Sequence, residues 1–417
     1  MKKLKVSIVG AGNRGNIYSD LMSLYSEEFE IVAVADPILE RRVTFAQKHR
    51  VKNSFRSWED MFQANIECDV VFVTTQDNDH FRPVMAALEK GFHVVVEKPL
   101  SPSYEECVKI VQTAKEKNCL LLLCYVLRYT PFFRKIKAII ERGEIGEVKH
   151  IAIDMNVAYW HQAHSFVRGN WRNTKQTPSM LLAKSCHDLD IFTFLLDKKP
   201  IAVSSFGALY YFKEDNAPLG STERCFDCQV EEQCAFSALK IYLGNNIEWP
   251  VSTISDDISY ESRKQAIETG PYGRCVFRCD NDVVDHQIVN LVYESGITTT
   301  LTMSGFTKEL TRTVRVLGTR GEMNGDMNKK ILTYTRFGQK TKNVDLTVSE
   351  DGMHAGGDHG LIRAVVEEIQ SFNKLDLDQY YADLLQSHYL AMQAEKARRM
   401  NQVIEIEPIK NHQTVNI

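Results

Sequence analysis

Apolar runs separated by helix-length stretches set the pattern of the first third of the chain. Residues 6–9 read as a buried strand leading into a helix that reaches about Ser26, and 31–35, 70–74, 93–96 and 120–124 follow as further strands. Between them, Ser57-x-x-Asp60 and Ser103-x-x-Glu106 have the form of capping boxes, and Gly91 closes a helix over 80–90. Strands that read as apolar runs are covered on both faces, and their alternation with helices predicts a doubly wound, mostly parallel sheet. From about Tyr125 the pattern changes. Alternating inward and outward positions predict long strands at 149–159, 202–209, 285–293, 298–304, 313–317 and 331–335. Helices are predicted at 132–141, 181–196, 360–372 and 380–400. Such strands belong to an open, largely antiparallel sheet with one face exposed or covered by a partner. The fold class is α/β: a domain over 1–125, a second over 126–417, and a cysteine-rich insertion at about 220–280.

Chemistry enters where strands end. The first strand runs into Gly10-Ala11-Gly12-Asn13-Arg14-Gly15, a G-x-G-x-x-G loop with a strand before it and a helix after it. Glycines there permit a tight turn and close approach to a pyrophosphate, which the helix N-terminus attracts. Asp36 ends the second strand, where a carboxylate accepts from a ribose 2′-hydroxyl and favours NAD, although Arg41 and Arg42 leave NADP open. Thr75 and Glu97-Lys98 lie at the ends of later strands, on the side where ligands bind in such sheets.

Composition narrows the class. The 417 residues carry a net charge of −4, which argues against nucleic acid or anionic membrane as a partner. No apolar run approaches the length of a membrane span, residues 6–9 are too short for a signal-peptide core, and ten cysteines without an export signal suit a reducing cytoplasm.

G-A-G-N-R-G at Gly10, A-V-A-D-P at Ala33, T-T-Q-D-N-D-H at Thr74, E-K-P-L at Glu97, R-Y at Arg128, G-E-I-G-E-V at Gly143 and C-H-D-L-D at Cys186 together resemble the Gfo/Idh/MocA family. These are the glucose–fructose oxidoreductase and inositol dehydrogenase-like enzymes. The resemblance runs over essentially the whole chain. It implies a Rossmann domain, then an α/β domain whose open sheet often forms dimers or tetramers. It also implies NAD(P)-dependent hydride transfer at a sugar or polyol hydroxyl. Lys98 would touch cofactor and substrate, and His187 would act as acid/base. Gly10, Gly12, Asn13, Arg14, Gly15, Asp36, Thr75, His80, Glu97 and Lys98 form the expected cofactor set. A cis Lys98–Pro99 bond is compatible with it.

The departures matter. The family often has D-x-G-x-H where this chain reads Ala183-Lys184-Ser185-Cys186-His187, so no carboxylate precedes His187 by one turn. Asp190, three residues on, is the expected orienter. Lys184 is expected to face an anionic or polyhydroxylated substrate. Arg128, Tyr129, His161, His164, Trp171, Arg172 and His354 complete the expected substrate set, because sugars stack on aromatic rings and hydrogen-bond to planar polar groups. Asp358 is expected to cap the helix that follows it.

Cys225-x2-Cys228-x5-Cys234 has thiolate-metal spacing, with Cys275 or Cys279 as a fourth ligand. Structural zinc fits; free thiols, an iron–sulfur cluster or a disulfide stay open. Two other functions are compatible with the same residues: an NAD-dependent glycosidase working by transient oxidation, and a non-catalytic cofactor-binding regulator.

Overall fold

The computed structural model describes residues 3–255, 257–346 and 353–407, with the side chains of 353 and 354 outside that set. The first sheet has strands β1 (Leu4–Val9), β2 (Phe29–Ala35), β3 (Asn53–Phe55), β4 (Val70–Val73), β5 (His93–Val96) and β6 (Leu121–Leu123). Their order is β3-β2-β1-β4-β5-β6 and every pairing is parallel. The order reverses direction beside β1, so the ends of β1 and β4 open a crevice where a ligand can lie. Val70 to Val73 and Val94 to Val96 are fully buried, as a sheet with helices on both faces requires.

The second sheet has β7 (Val148–Asn156), β8 (Pro200–Ala208), β9 (His286–Tyr293), β10 (Thr298–Ser304), β11 (Thr311–Gly318), β12 (Gly321–Asp326), β13 (Ile331–Arg336), β14 (Lys342–Asn343) and β15 (Ile404–Glu405). They run in the order β14-β13-β12-β11-β7-β10-β9-β8-β15. Only β7 and β10 pair in parallel; the rest are antiparallel. Val203, Val289, Leu291, Leu301, Met303, Val314 and Val316 point inward at two-residue spacing. Helices Met180–Leu196 and Leu377–Met400 pack together over this inner face, joining it to the core of the first domain.

One feature of the layout is invisible in local pattern. Helix Gly357–Ser371 returns from far along the chain to cover the first sheet, placing Leu361, Ile362 and Val365 among Val6, Ile8 and Tyr18. The fit is close: a Cβ at Gly357 would lie 2.5 Å from the Val126 carbonyl oxygen, and one at Gly360 would lie 2.7 Å from Tyr129 Cβ. Asp358 sits inside this helix's first turn rather than at its cap, which is Gly356. Among the described residues no helix is long and apolar enough to cross a membrane.

Candidate active site

The glycine loop is built as the motif requires. Gly10 has φ +102°, and a Cβ there would lie 2.8 Å from the Thr74 carbonyl oxygen. A Cβ at Gly15 would collide with the Gly10 carbonyl at 2.1 Å, whereas one at Gly12 would meet nothing within 4 Å. Gly12 also begins the helix Asn13–Leu24 without a side-chain cap, so its first N–H groups face open space suited to a pyrophosphate. Asn13 is exposed at that mouth. Asp36 stands at the end of β2, accepting from Ala11 N at 2.9 Å and Ile38 N at 2.8 Å, so it fixes the loop from the position where a ribose would come. Arg42 donates to the carbonyls of Asp36 and Pro37. These residues fit a dinucleotide.

Two members of the expected cofactor set do other work. Arg14 turns inward to Glu97 (2.6 Å) and Asp358 (2.6 Å), because two buried carboxylates outcompete an open cleft for its guanidinium. Burial raises the Glu97 pKa, but Arg14, Lys98 and the Tyr18 hydroxyl outweigh it and hold the carboxyl below its usual range. His80 is fully buried between two carbonyls, Pro99 O at 2.7 Å and Thr75 O at 3.2 Å, leaving no ring nitrogen for a ligand. It is a strut under the Lys98–Pro99 turn, whose peptide bond is cis. Thr75 Oγ1 donates to Asp79 O at 3.2 Å.

The second half of the site is the N-terminal part of helix Met180–Leu196, which Ser179 caps by accepting from Leu182 N. Lys98 crosses the domain boundary and donates from Nζ to the Ala183 carbonyl at 2.8 Å. Ala183 is one helical turn before His187, so Lys98 and His187 address the same face of that helix. The Tyr125 ring meets the His187 imidazole edge-on at 5.8 Å, and Tyr125 OH also bonds Ser387 and His388 Nδ1 (3.1 Å). His388 Nε2 in turn accepts from Leu100 N at 2.7 Å, which ties the lysine's own loop to the same network.

Around Lys98 the charge is positive. Burial, with Arg312 and Lys98 nearby, pushes the Lys184 ammonium well below the ordinary lysine range. Among the described residues Lys184 makes no ion pair. Asp188 is its nearby acid, and that carboxylate is held by Arg312 at 2.6 Å. Burial, then Lys184, hold His161 well below the usual histidine value, so its ring is neutral near pH 7.

Several expected roles are corrected by these contacts. Asp190 is taken up elsewhere than at His187: both its oxygens receive Arg128, at 2.7 and 2.6 Å, which holds the Nε and one Nη of that guanidinium against the helix. Tyr129 lines a different, basic cavity of about 470 Å³ with Arg134, Lys135, Arg142 and Arg363, which shares no residue with the Lys98 cluster. His164 stacks on Tyr272 and bonds Tyr242 OH at 3.0 Å inside the insertion; burial, then Arg168, bring its pKa to about 3. Arg172 is held by Asp280 at 2.8 Å. Trp171 donates its indole N–H to Asp77 at 2.8 Å, joining the second domain to the loop after β4. The His354 side chain lies outside the described residues. Cys225, Cys228, Cys234 and Cys275 line a separate small cavity in the insertion, while the Cys279 thiol donates to the Cys275 carbonyl.

Sequence reading missed Tyr125, Arg312 and His388. Arg312 did carry a signal: it shares the inward parity of Val314 and Val316, where a charge needs a buried partner. Tyr125 and His388 carried none, because their roles depend on contacts between distant segments.

Residues 4–125 match the family described as "Oxidoreductase family, NAD-binding Rossmann fold", and residues 137–404 match its companion, "Oxidoreductase family, C-terminal alpha/beta domain". The chain belongs to the Gfo/Idh/MocA oxidoreductase family. It is therefore an NAD(P)-dependent oxidoreductase, acting by hydride transfer on a small hydroxyl-bearing molecule. YteT of Bacillus subtilis (strain 168), named an oxidoreductase, is 23% identical over 360 residues, covering 81% of this chain and 82% of its own. The 2,7-anhydro-N-acetylneuraminate hydratase of Mediterraneibacter gnavus is 28% identical over 207 residues, covering 50% of this chain and 53% of its own. Levoglucosan dehydrogenase, solved with NADH and levoglucosan, shares the fold with a TM-score of 0.73 at 17% identity, covering 98% of this chain and 100% of that one.

Proposed function

We propose that this member of the family transfers hydride between nicotinamide and a hydroxyl of an acidic sugar or polyol derivative. The reading is carried by Lys184, which stands half-buried beside Lys98 and Arg312 while Arg312 takes up Asp188. A cation so placed is disfavoured until an anion neutralises it, and a substrate carboxylate would do so. When bound, the dinucleotide supplies the hydride acceptor. Lys98 then holds the reacting oxygen and stabilises developing alkoxide charge, and His187 takes the hydroxyl proton. Neutral His161 offers a hydrogen bond without adding charge.

The test is a panel of aldonic and uronic acids against the matching neutral polyols. Acids should be preferred, and Lys184→Met should raise KM for them by about 10- to 100-fold with little change for neutral compounds, the worth of one charge-assisted contact. Because the ammonium is needed and its pKa is lowered, KM of the wild type should climb with pH earlier than an ordinary lysine would allow. Equal KM effects on acids and neutral polyols would sink the anionic reading.

The hydratase among the relatives supports a second reading, in which oxidation is transient and no NADH accumulates. Retained cofactor and product formation without net absorbance change would favour it.

We also assign the outer face of the second sheet to self-association. Phe206, Ile288 and Val292 stand 57%, 38% and 40% exposed on adjacent strands, with Phe206 directly opposite Ile288. Phe206→Glu is expected to shift the protein to monomers by light scattering; an unchanged mass would remove that face from the interface.

A further inference from the structure

The insertion holds a polar arrangement that the hydride chemistry leaves unused. Its apolar support is small: Cys225, Ala238, Tyr242, Val251 and Ile267 form one cluster, and Cys275 to Phe277 join Ala163, Val167 and Phe212 of the preceding segments in another. Clusters of this size rarely hold a segment of about sixty residues without a staple. Two strand-like stretches meet there at a single bridge, Arg224 opposite Arg274, reinforced by Cys275 N donating to Glu223 O at 2.9 Å. Each bridge partner is followed at once by a cysteine, so Cys225 and Cys275 are brought to the same place. Cys228 closes a turn back onto the Cys225 carbonyl, and Cys234 ends the next turn. All four line one cavity of about 20 Å³.

A second observation concerns charge. Arg168 also lines this cavity and is fully buried. Its Nε donates to Arg274 O and one Nη to Phe236 O, both at 2.7 Å, with the same Nη 3.6 Å from Cys225 Sγ. Its other Nη is buried without a hydrogen-bond partner, and among the described residues no carboxylate pairs with it. A guanidinium removed from water needs an anion, and thiols are not anions. Ala238 N also points at Cys225 Sγ, at 3.4 Å, as backbone amides do towards a charged sulfur.

We propose that Cys225, Cys228, Cys234 and Cys275 bind one zinc ion as a tetrathiolate, with Arg168 as the buried counter-charge. Binding releases four protons to solvent and involves no change of oxidation state. The product carries two negative charges, one of which Arg168 neutralises. A tetrahedral all-sulfur set selects zinc or iron, and elemental analysis tells the two apart. Among the described residues no group of three or more His, Cys, Asp or Glu side chains is, as it stands, able to hold a metal ion, so the assignment requires the four thiols to draw closer together on binding. The spacing of the first three cysteines left the fourth ligand open between Cys275 and Cys279; the bridge at Arg274 selects Cys275.

The full-length protein, produced in zinc-supplemented medium, is expected to hold one zinc per chain by elemental analysis. Exchange with cobalt should give sulfur-to-cobalt charge-transfer bands and the intense d–d bands of a tetrahedral site. Cys228→Ser and Cys234→Ser should each lower metal occupancy at least tenfold, whereas Cys279→Ser should keep it. Should the serine variants fail to fold, the wild-type cobalt spectrum and a count of four thiols shielded from modification until a chelator is added decide the matter. Absence of bound zinc, a cobalt spectrum without sulfur bands, stoichiometric iron, a disulfide among the four, or metal loss in Cys279→Ser would each overturn the assignment.

Discussion

Lys98→Met should lower kcat by about 10³-fold, or roughly 4 kcal/mol of transition-state stabilisation, the scale of losing one positioned charge and proton-transfer partner. Methionine keeps the length of the side chain and most of its packing, so the fold and the dinucleotide cleft are expected to survive. NADH affinity, read by fluorescence titration, should therefore change by no more than a few-fold. The loss is expected in kcat because the ammonium is already held at 2.8 Å from Ala183 O, on the helix that carries His187, and so is preorganised. A variant that binds NADH normally and retains more than a tenth of wild-type turnover would remove Lys98 from the chemistry.

The second large effect is on stability. Arg128→Met is expected to destabilise the protein by about 3–5 kcal/mol, because Asp190 is completely buried and would be left as an uncompensated charge. Denaturant unfolding measures it, and adding Asp190→Leu should restore much of the loss. The pH dependence follows from the carboxyl. Burial already raises the Asp190 pKa against the pull of Arg128, and removing Arg128 raises it further. The folded variant then binds a proton more readily than the unfolded chain, so its stability falls as pH rises past the unfolded Asp value of about 3.9. The deficit should thus shrink on acidification. A variant as stable as wild type at pH 7 would show that the pair carries no such burden.

These two residues also mark what the chain made legible. The place of Lys98 just past a strand end was readable because the strand and the proline that follow one another there are local facts. The parallel strands were readable for a related reason: buried on both faces, they appear as apolar runs. Strand β3, Asn53–Phe55, escaped because it is three residues long and two of them are polar. Strand β12, with glycine at both Gly321 and Gly325, escaped because pairing with β11 and β13, rather than propensity, holds it extended. The partnership of Arg128 with Asp190 could not be read, since it depends on how two segments sixty-two residues apart are folded together. The same holds for Arg14 and Asp358. Spacing suggested local roles for the two acids, Asp190 beside His187 and Asp358 at its helix cap, and the structure gives each an arginine from across the molecule instead. At Ala183 the family's carboxylate is missing, and the main-chain carbonyl there gives Lys98 an acceptor all the same.

The network His388–Leu100 and Arg14–Asp358 has a consequence for biosynthesis. The cofactor loop and the lysine turn are made within the first hundred residues, yet the groups that brace them come from helices Gly357–Ser371 and Leu377–Met400. During translation the amino-terminal sheet emerges long before those helices leave the ribosome. Its apolar positions Val6, Ile8 and Phe72 stay without their final cover until then. The nascent chain must therefore shelter that surface for most of its synthesis, which makes this interval its period of greatest exposure to aggregation and to chaperones.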